Sequence, residues 1–404
     1  MRNLWLKADV AWRLGLTNIG RVFWYRLRLR TRTHPVQRLG FTLAGNRFFR
    51  APHPKESDLC PPKLWSIKGL YFGYHLNSLE NAVPDWHENP FTGTRVTGAG
   101  RPWWELTDFE SGAGDIKTVW EASRFDWVLA GSQRAAGSDR EALERLNDWL
   151  ADWCEHNPCY RGPNWKCGQE AAIRVLHLLL AARFLGQLEQ PEQALVKLVE
   201  AHLARIRPTI QYALAQDNNH GTSEAAALFV GGHFCQQQGI RKGATWCRTG
   251  RRLLENRVAR LISSCGSFSQ HSVNYHRLML DTLSLAELWR RWHQLPEFSA
   301  KLQERARAAT TWLKAMVDEQ TGDAPNLGAN DGANLLPLTD ADYRDFRPSV
   351  ALAHVLFMGK RVFLDHGFHT EHLRWLGLGS DEWTAPEDGK NAQPCADSRW
   401  PPRR

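Results

Sequence analysis

The chain has 404 residues, a net charge of +8, 43% hydrophobic and 23% charged residues, the proportions of a folded globular protein rather than a disordered or collagen-like one. The positive balance favours an acidic partner such as nucleic acid, anionic lipid or anionic polysaccharide. No apolar run approaches the ~20 residues of a membrane span, and the best, VLHLLLAARFLG, is interrupted by His177 and Arg183.

Residues 1–50 read as a basic lead-in. The first twenty contain no continuous apolar core and no small-residue cleavage site, so no cleavable signal peptide is expected. RVFWYRLRLRTRTHPVQR reads as a solvated basic segment, with contact to lipid or an acidic polymer as the alternative. From there to about residue 110 the chain is rich in Pro, Gly and Trp, which predicts loops, short helices and a strand or two. Beyond Asp115 helical periodicity takes over. DREALERLNDWLADW is amphipathic, with Trp149 and Trp153 on one side, and GQEAAIRVLHLLLAARFLG follows, ended by Gly186. Then come EQALVKLVEAHLARIRPTIQYAL, TSEAAALFVGGHFCQQQG, TWCRTGRRLLENRVARLI, SVNYHRLMLDTLSLAELWRRW and KLQERARAATTWLKAMVDEQ.

Several of these helices are apolar over more than one face, which predicts two layers of helices. The expected fold is all-α, an incomplete α/α toroid of helical hairpins spanning residues 51–378 after an irregular start. Residues 379–404, polar and Pro-rich, are expected to form a disordered tail. Most of the 19 Trp are expected in the core. Cys154, Cys159 and Cys167, with His156 nearby, match no common zinc spacing and read as ordinary thiols, so neither a metal nor a cofactor is implied.

Polar islands stand where helices begin. WEASRF carries Glu121 and Arg124, three apart; NWKCGQEAAIR carries Asn164, Trp165, Glu170 and Arg174; DNNHGTSE carries Asp217, Asn218, Asn219, His220 and Glu224. The ordinary reading makes Glu121–Arg124 and Glu170–Arg174 structural ion pairs and the Asn and Asp residues helix caps. GSFSQHSVNYHR places Tyr275 between Asn274 and His276, with His271 a turn behind and Arg277 beside it. An ordinary Tyr titrates near ~10, and neighbouring cations would lower that. A final island, NLGANDGA, holds Asn326, Asn330 and Asp331.

Taken in order, WEASRF, NWKCGQEAAIR, NNHGTSEAAAL, GSFSQHSVNYHR and NLGANDGA resemble the toroid domain of the heparinase II/III family of polysaccharide lyases, over roughly residues 60–375. The resemblance implies β-elimination at a uronic acid. Asn219 would then neutralise the uronate carboxylate, with His220 adjacent, and Tyr275 would move protons at C5 and the leaving O4. Arg124, Asn164, Trp165 and Glu170 form part of the expected substrate-binding set. Asn218, His271, Asn274, His276 and Asn330 complete it. Two departures stand out: Cys265 and Gln270 occupy positions where the family usually has acids, and no GHGHAD-like segment of a C-terminal β-sandwich is found. Slow turnover, and self-association through the face where a sandwich would dock, are the corresponding expectations. The family implies a periplasmic setting, while the lack of a visible signal peptide allows a cytoplasmic one.

Two other readings stay open. One is a non-catalytic glycan-binding or exopolysaccharide-assembly protein. The other is a glycoside hydrolase on the same toroid, with Glu121, Glu170, Asp217 and Glu224 as the carboxylates available. The expected partner in each case is an acidic polysaccharide, and no nucleic-acid recognition motif is visible.

Overall fold

The computed structural model describes residues 15–379 apart from 44, 46, 53–58, 80–82, 111 and 364–366. The tail expected at its C-terminal end lies almost wholly outside the described residues, as do residues 1–14 of the lead-in. Eleven α-helices are present among the described residues: α1 Leu16–Arg30, α2 Asp126–Ala136, α3 Arg140–His156, α4 Gly168–Phe184, α5 Gln193–Ala215, α6 Asn219–Gln237, α7 Gly243–Leu261, α8 Val273–Trp292, α9 Ala300–Met316, α10 Arg347–Met358 and α11 Phe368–Trp375. Four short strands form two antiparallel hairpins, β1 Lys68–Tyr71 with β2 His75–Ser78 and β3 Phe109–Glu110 with β4 Gly114–Asp115.

Packing runs between neighbours in the chain and next-but-one neighbours. Helices α2, α4, α6, α8 and α10 contact one another in succession, while α3, α5, α7 and α9 each pack against their neighbours in this series. Composition explains the division. Helices α4, α6 and α8 are buried around nearly their whole circumference, consistent with Ala, Leu and Val on every face. Helix α3 buries only a stripe that includes Leu146, Trp149, Leu150 and Trp153. The backbones of α6 and α7 meet closely: a Cβ on Gly232 would lie 2.4 Å from Cys247 N, and one on Gly250 2.2 Å from Phe229 N. Starts are fixed by side-chain caps, Asp139 on α3, Asn218 on α6, Ser272 on α8 and Ser299 on α9.

The expectations for individual elements need three amendments. The basic lead-in contains a regular helix, α1, seated on α5. Helices α10 and α11 were not anticipated. Glu121 and Arg124 lie at a pair of 3-10 turns before α2, not on an α-helix.

Candidate active site

A cavity of about 620 Å³ opens where α4, α6 and α8 begin. Its lining comes from widely separated parts of the chain, including Arg124, Glu170, Asn218, Asn219, His220, Gln270, Tyr275 and Asp331. The aromatic residues Phe72, Trp103, Trp104 and Trp120 contribute to the lining, and α1 contributes Tyr25 and Arg26.

The start of α6 is organised by amides. Asn218 caps the helix by accepting from His220 N–H at 3.1 Å, and Asn219 N–H donates to Gln270 Oε1 at 2.9 Å. Gln270, standing where the resembled family has an acid, therefore serves as a neutral acceptor at a helix N-terminus. His220 is pushed below its ordinary range by burial, with Glu224 and Glu170 opposing, so it is held as the free base. The Cys167 Sγ lies 3.9 Å from its Nδ1, and burial pushes that thiol up to about 11.

Tyr275 stands in the first turn of α8, where Ser272 Oγ accepts from its N–H at 3.1 Å. Its hydroxyl donates to Asp331 Oδ2 at 3.0 Å. Asp331 is held in turn by Asn274 Nδ2 at 3.4 Å and Ala333 N–H at 3.2 Å. The cations expected to depress the Tyr275 pKa do not face it. His276 is buried against Trp312 and bonds the Ala309 carbonyl at 3.0 Å. Arg277 lies over Tyr343 and Phe346 and donates to the Tyr343 and Ala333 carbonyls. Burial, followed by Asp331, raises the Tyr275 pKa, with Arg124 opposing. The expectation of a lowered pKa is thus reversed, and Tyr275 is a phenol.

Arg124 and its partners form the floor. Its guanidinium makes a two-pronged contact with Glu170, at 3.0 and 3.2 Å, and also pairs with Glu121. Burial opposes its charge, but Glu121 and Glu170 hold it firmly protonated. The expected Glu170–Arg174 pair does not form. Arg174 is instead fully buried, donating to His202 Nε2 at 2.8 Å and lying over the rings of Trp153 and Trp165.

Several expected site residues are placed elsewhere. Trp165 is fully buried beside Arg174, with its indole N–H on the Asn157 carbonyl, and Asn164 is fully buried with its amide on Trp86 O and Asn157 Oδ1. Neither lines the cavity; both enclose the buried Arg174 guanidinium, Asn164 through its backbone carbonyl and Trp165 through its ring face. His276 likewise belongs to the α8–α9 packing. Asn274 is buried and acts through Asp331. Asn330 bonds Asn326 and Tyr343, and His271 is exposed at a positive φ of 51°; neither is part of the lining.

Glu224 is the residue that the order of islands understated. It lies one turn beyond His220 in α6 and lines the cavity, yet its Oε2 has no hydrogen-bond partner. Burial pushes its pKa up to about 8, against which His220 pulls it down. Gly168 packs closely beside it: a Cβ there would fall 2.4 Å from Glu224 Oε1, so the carboxyl group would have to shift. Asp217, by contrast, is consumed by Arg257, Arg260 and Asn18.

Among the described residues no group of His, Cys, Asp and Glu is arranged to hold a metal ion, and no helix is long and apolar enough to cross a membrane. Comparison of the chain with protein-family models, curated proteins and solved structures finds no match.

Proposed function

We propose that the protein is a polysaccharide lyase that cleaves a uronate-containing glycan by β-elimination, built on an incomplete α/α toroid. The observation that carries this reading is convergence. Asn219, His220, Tyr275 and Asp331, brought from three regions of the chain, line one cavity together with aromatic residues suited to sugar rings. The alternating rows of helices support the toroid, and the order of the polar islands supports the family.

The electrostatics divide the roles. Elimination needs a group to neutralise the carboxylate, a base for the C5 proton and an acid for the departing O4. The Asn219 amide at the N-terminus of α6 suits the first role, because donors there gain from the helix dipole as negative charge develops. His220, held neutral, suits the base. Tyr275, held as a phenol, suits the acid. Asp331 orients its hydroxyl and is the acceptor that a substrate oxygen would replace. Arg124 is not assigned to the carboxylate, since Glu170 and Glu121 already occupy it. Exposed Lys117 and Arg26 at the lining instead supply positive charge towards an arriving polyanion.

One observation favours a second reading. Glu224, protonated and without a hydrogen-bond partner at Oε2, is the kind of acid a glycoside hydrolase uses; such an enzyme also needs a second, ionised carboxylate. Product analysis separates the two. Digestion of a polyuronate by the lyase creates a C4–C5 double bond conjugated to the carboxylate, seen as new ultraviolet absorbance, whereas a hydrolase creates reducing ends without it.

A further inference from the structure

Among the described residues, helix α1 is anchored by one face. Asn18 donates to Asp217 at 2.9 Å and Tyr25 stacks on Tyr212 of α5 at 4.3 Å, so this face is seated on the fold. Among the described residues, nothing covers the opposite, apolar face. Leu16, Phe23, Trp24 and Leu27 are 84%, 65%, 59% and 38% exposed. Their spacing, at i, i+7, i+8 and i+11, gathers them into one stripe along the helix. Arginines flank the stripe on both sides, Arg30 on one and Arg21 and Arg28 on the other, and the Arg28 guanidinium lies 6.0 Å from the Trp24 ring centre. No Asp or Glu occurs between Asp9 and Glu56.

A soluble core does not need this pattern, since the face that packs is the other one. An exposed stripe with large aromatics, bordered by arginines and free of acids, matches a surface of apolar interior and anionic rim. We propose that α1 docks in the plane of an anionic lipid bilayer, with Leu16, Phe23, Trp24 and Leu27 entering the acyl boundary and the flanking arginines meeting phosphodiester headgroups. Charge complementarity selects lipid over a second copy of the chain, whose own α1 would bring like charge to like. The apolar stripe selects lipid over a soluble acidic polymer, which offers phosphate or carboxylate but no acyl layer. Because Tyr25 and Arg26 of the same helix line the cavity, docking would hold the cavity next to the membrane surface.

Flotation of the full chain with phosphatidylcholine vesicles, alone or mixed with phosphatidylglycerol, tests this. The chain should float with the mixed vesicles and partition about tenfold or more weakly to the neutral ones, with added salt weakening the binding. Phe23→Ser/Trp24→Ser should lower partition to mixed vesicles by about tenfold or more through lost apolar burial. Arg28→Gln/Arg30→Gln should lower both the partition and its salt dependence. Equal or absent flotation with the two vesicle types overturns the proposal, whatever the variants do. So does sedimentation showing that Phe23→Ser/Trp24→Ser turns a dimer into a monomer while vesicles are ignored. Binding to a soluble polyuronate that Arg28→Gln/Arg30→Gln abolishes, without vesicle binding, would assign the arginines to that polymer instead.

Discussion

Tyr275 shows why neighbours in sequence are poor guides to a titrating group. His276 and Arg277 follow it directly, but successive residues on a helix point about 100° apart, and these two face α9 and the Tyr343–Phe346 rings. The residue that touches the hydroxyl is Asp331, 56 positions later, and nothing local announces that contact. Glu224 hides for another reason: a carboxylate in SEAAAL reads as an ordinary helical acid until its burial is seen. Its protonation has a thermodynamic consequence. The folded pKa, about 8, lies above the ordinary value of 4.5. The unfolded chain therefore ionises first, so the stability present below pH ~4.5 is lost as pH rises through ~8. Glu224→Gln removes that dependence. Unfolding free energies measured in denaturant at pH 5 and 8 should fall less with pH in the variant than in the parent, by roughly a few kcal/mol. Parallel profiles would mean that Glu224 is ionised in the fold.

At the scale of elements, the long helices were legible because their apolar residues recur with helical period. Helices α3, α4, α7 and α8 lie where the pattern put them, and Gly186, at a φ of 67°, marks the chain turning just beyond α4. Short helices without a wide stripe, such as α11, gave no comparable signal. The box around Arg174 was illegible too, since NWKCGQEAAIR offered an i,i+4 pair that the tertiary fold declined. Glycine identity carries information the period does not. Gly250 faces the backbone of α6, so Gly250→Ala would place a methyl group 2.2 Å from Phe229 N. Pushing α6 and α7 apart should cost about 1–3 kcal/mol or more. A lowered thermal midpoint with unchanged helical circular dichroism is the expected result, and an unchanged midpoint would show that the two helices have slack.

Over the whole molecule, the fold brings basic and aromatic residues to the opening of one cavity while its deeper charges neutralise one another. Arg124 is buried between Glu170 and Glu121, whereas the Lys117 side chain, 3.9 Å from Asp115, is 66% exposed. Charge at the rim should favour acidic glycans through long-range attraction more than through fixed contacts. In binding isotherms a polyuronate should therefore bind more tightly than a neutral glucan of similar length. The advantage should shrink as salt rises from ~0.05 to ~0.5 M, where screening shortens to a few ångströms. Equal affinity for the two glycans would remove the acidic substrate from the account.

On the proposed lyase reading, Tyr275, not a carboxyl pair, carries the chemistry of this cavity. Ultraviolet absorbance and reducing ends should be followed together during polyuronate digestion by the parent chain, Tyr275→Phe and Glu224→Gln, each compared at its own saturating substrate. Whatever the absolute rate of the parent, absorbance and reducing ends should rise in proportion. Tyr275→Phe should lower kcat by about 10²–10⁴-fold with binding nearly intact, as expected for loss of a general acid. Glu224→Gln should keep kcat within about tenfold of the parent, being outside the proton transfers assigned here. Reducing ends without absorbance, lost in Glu224→Gln and retained in Tyr275→Phe, would rule out the lyase and establish the hydrolase.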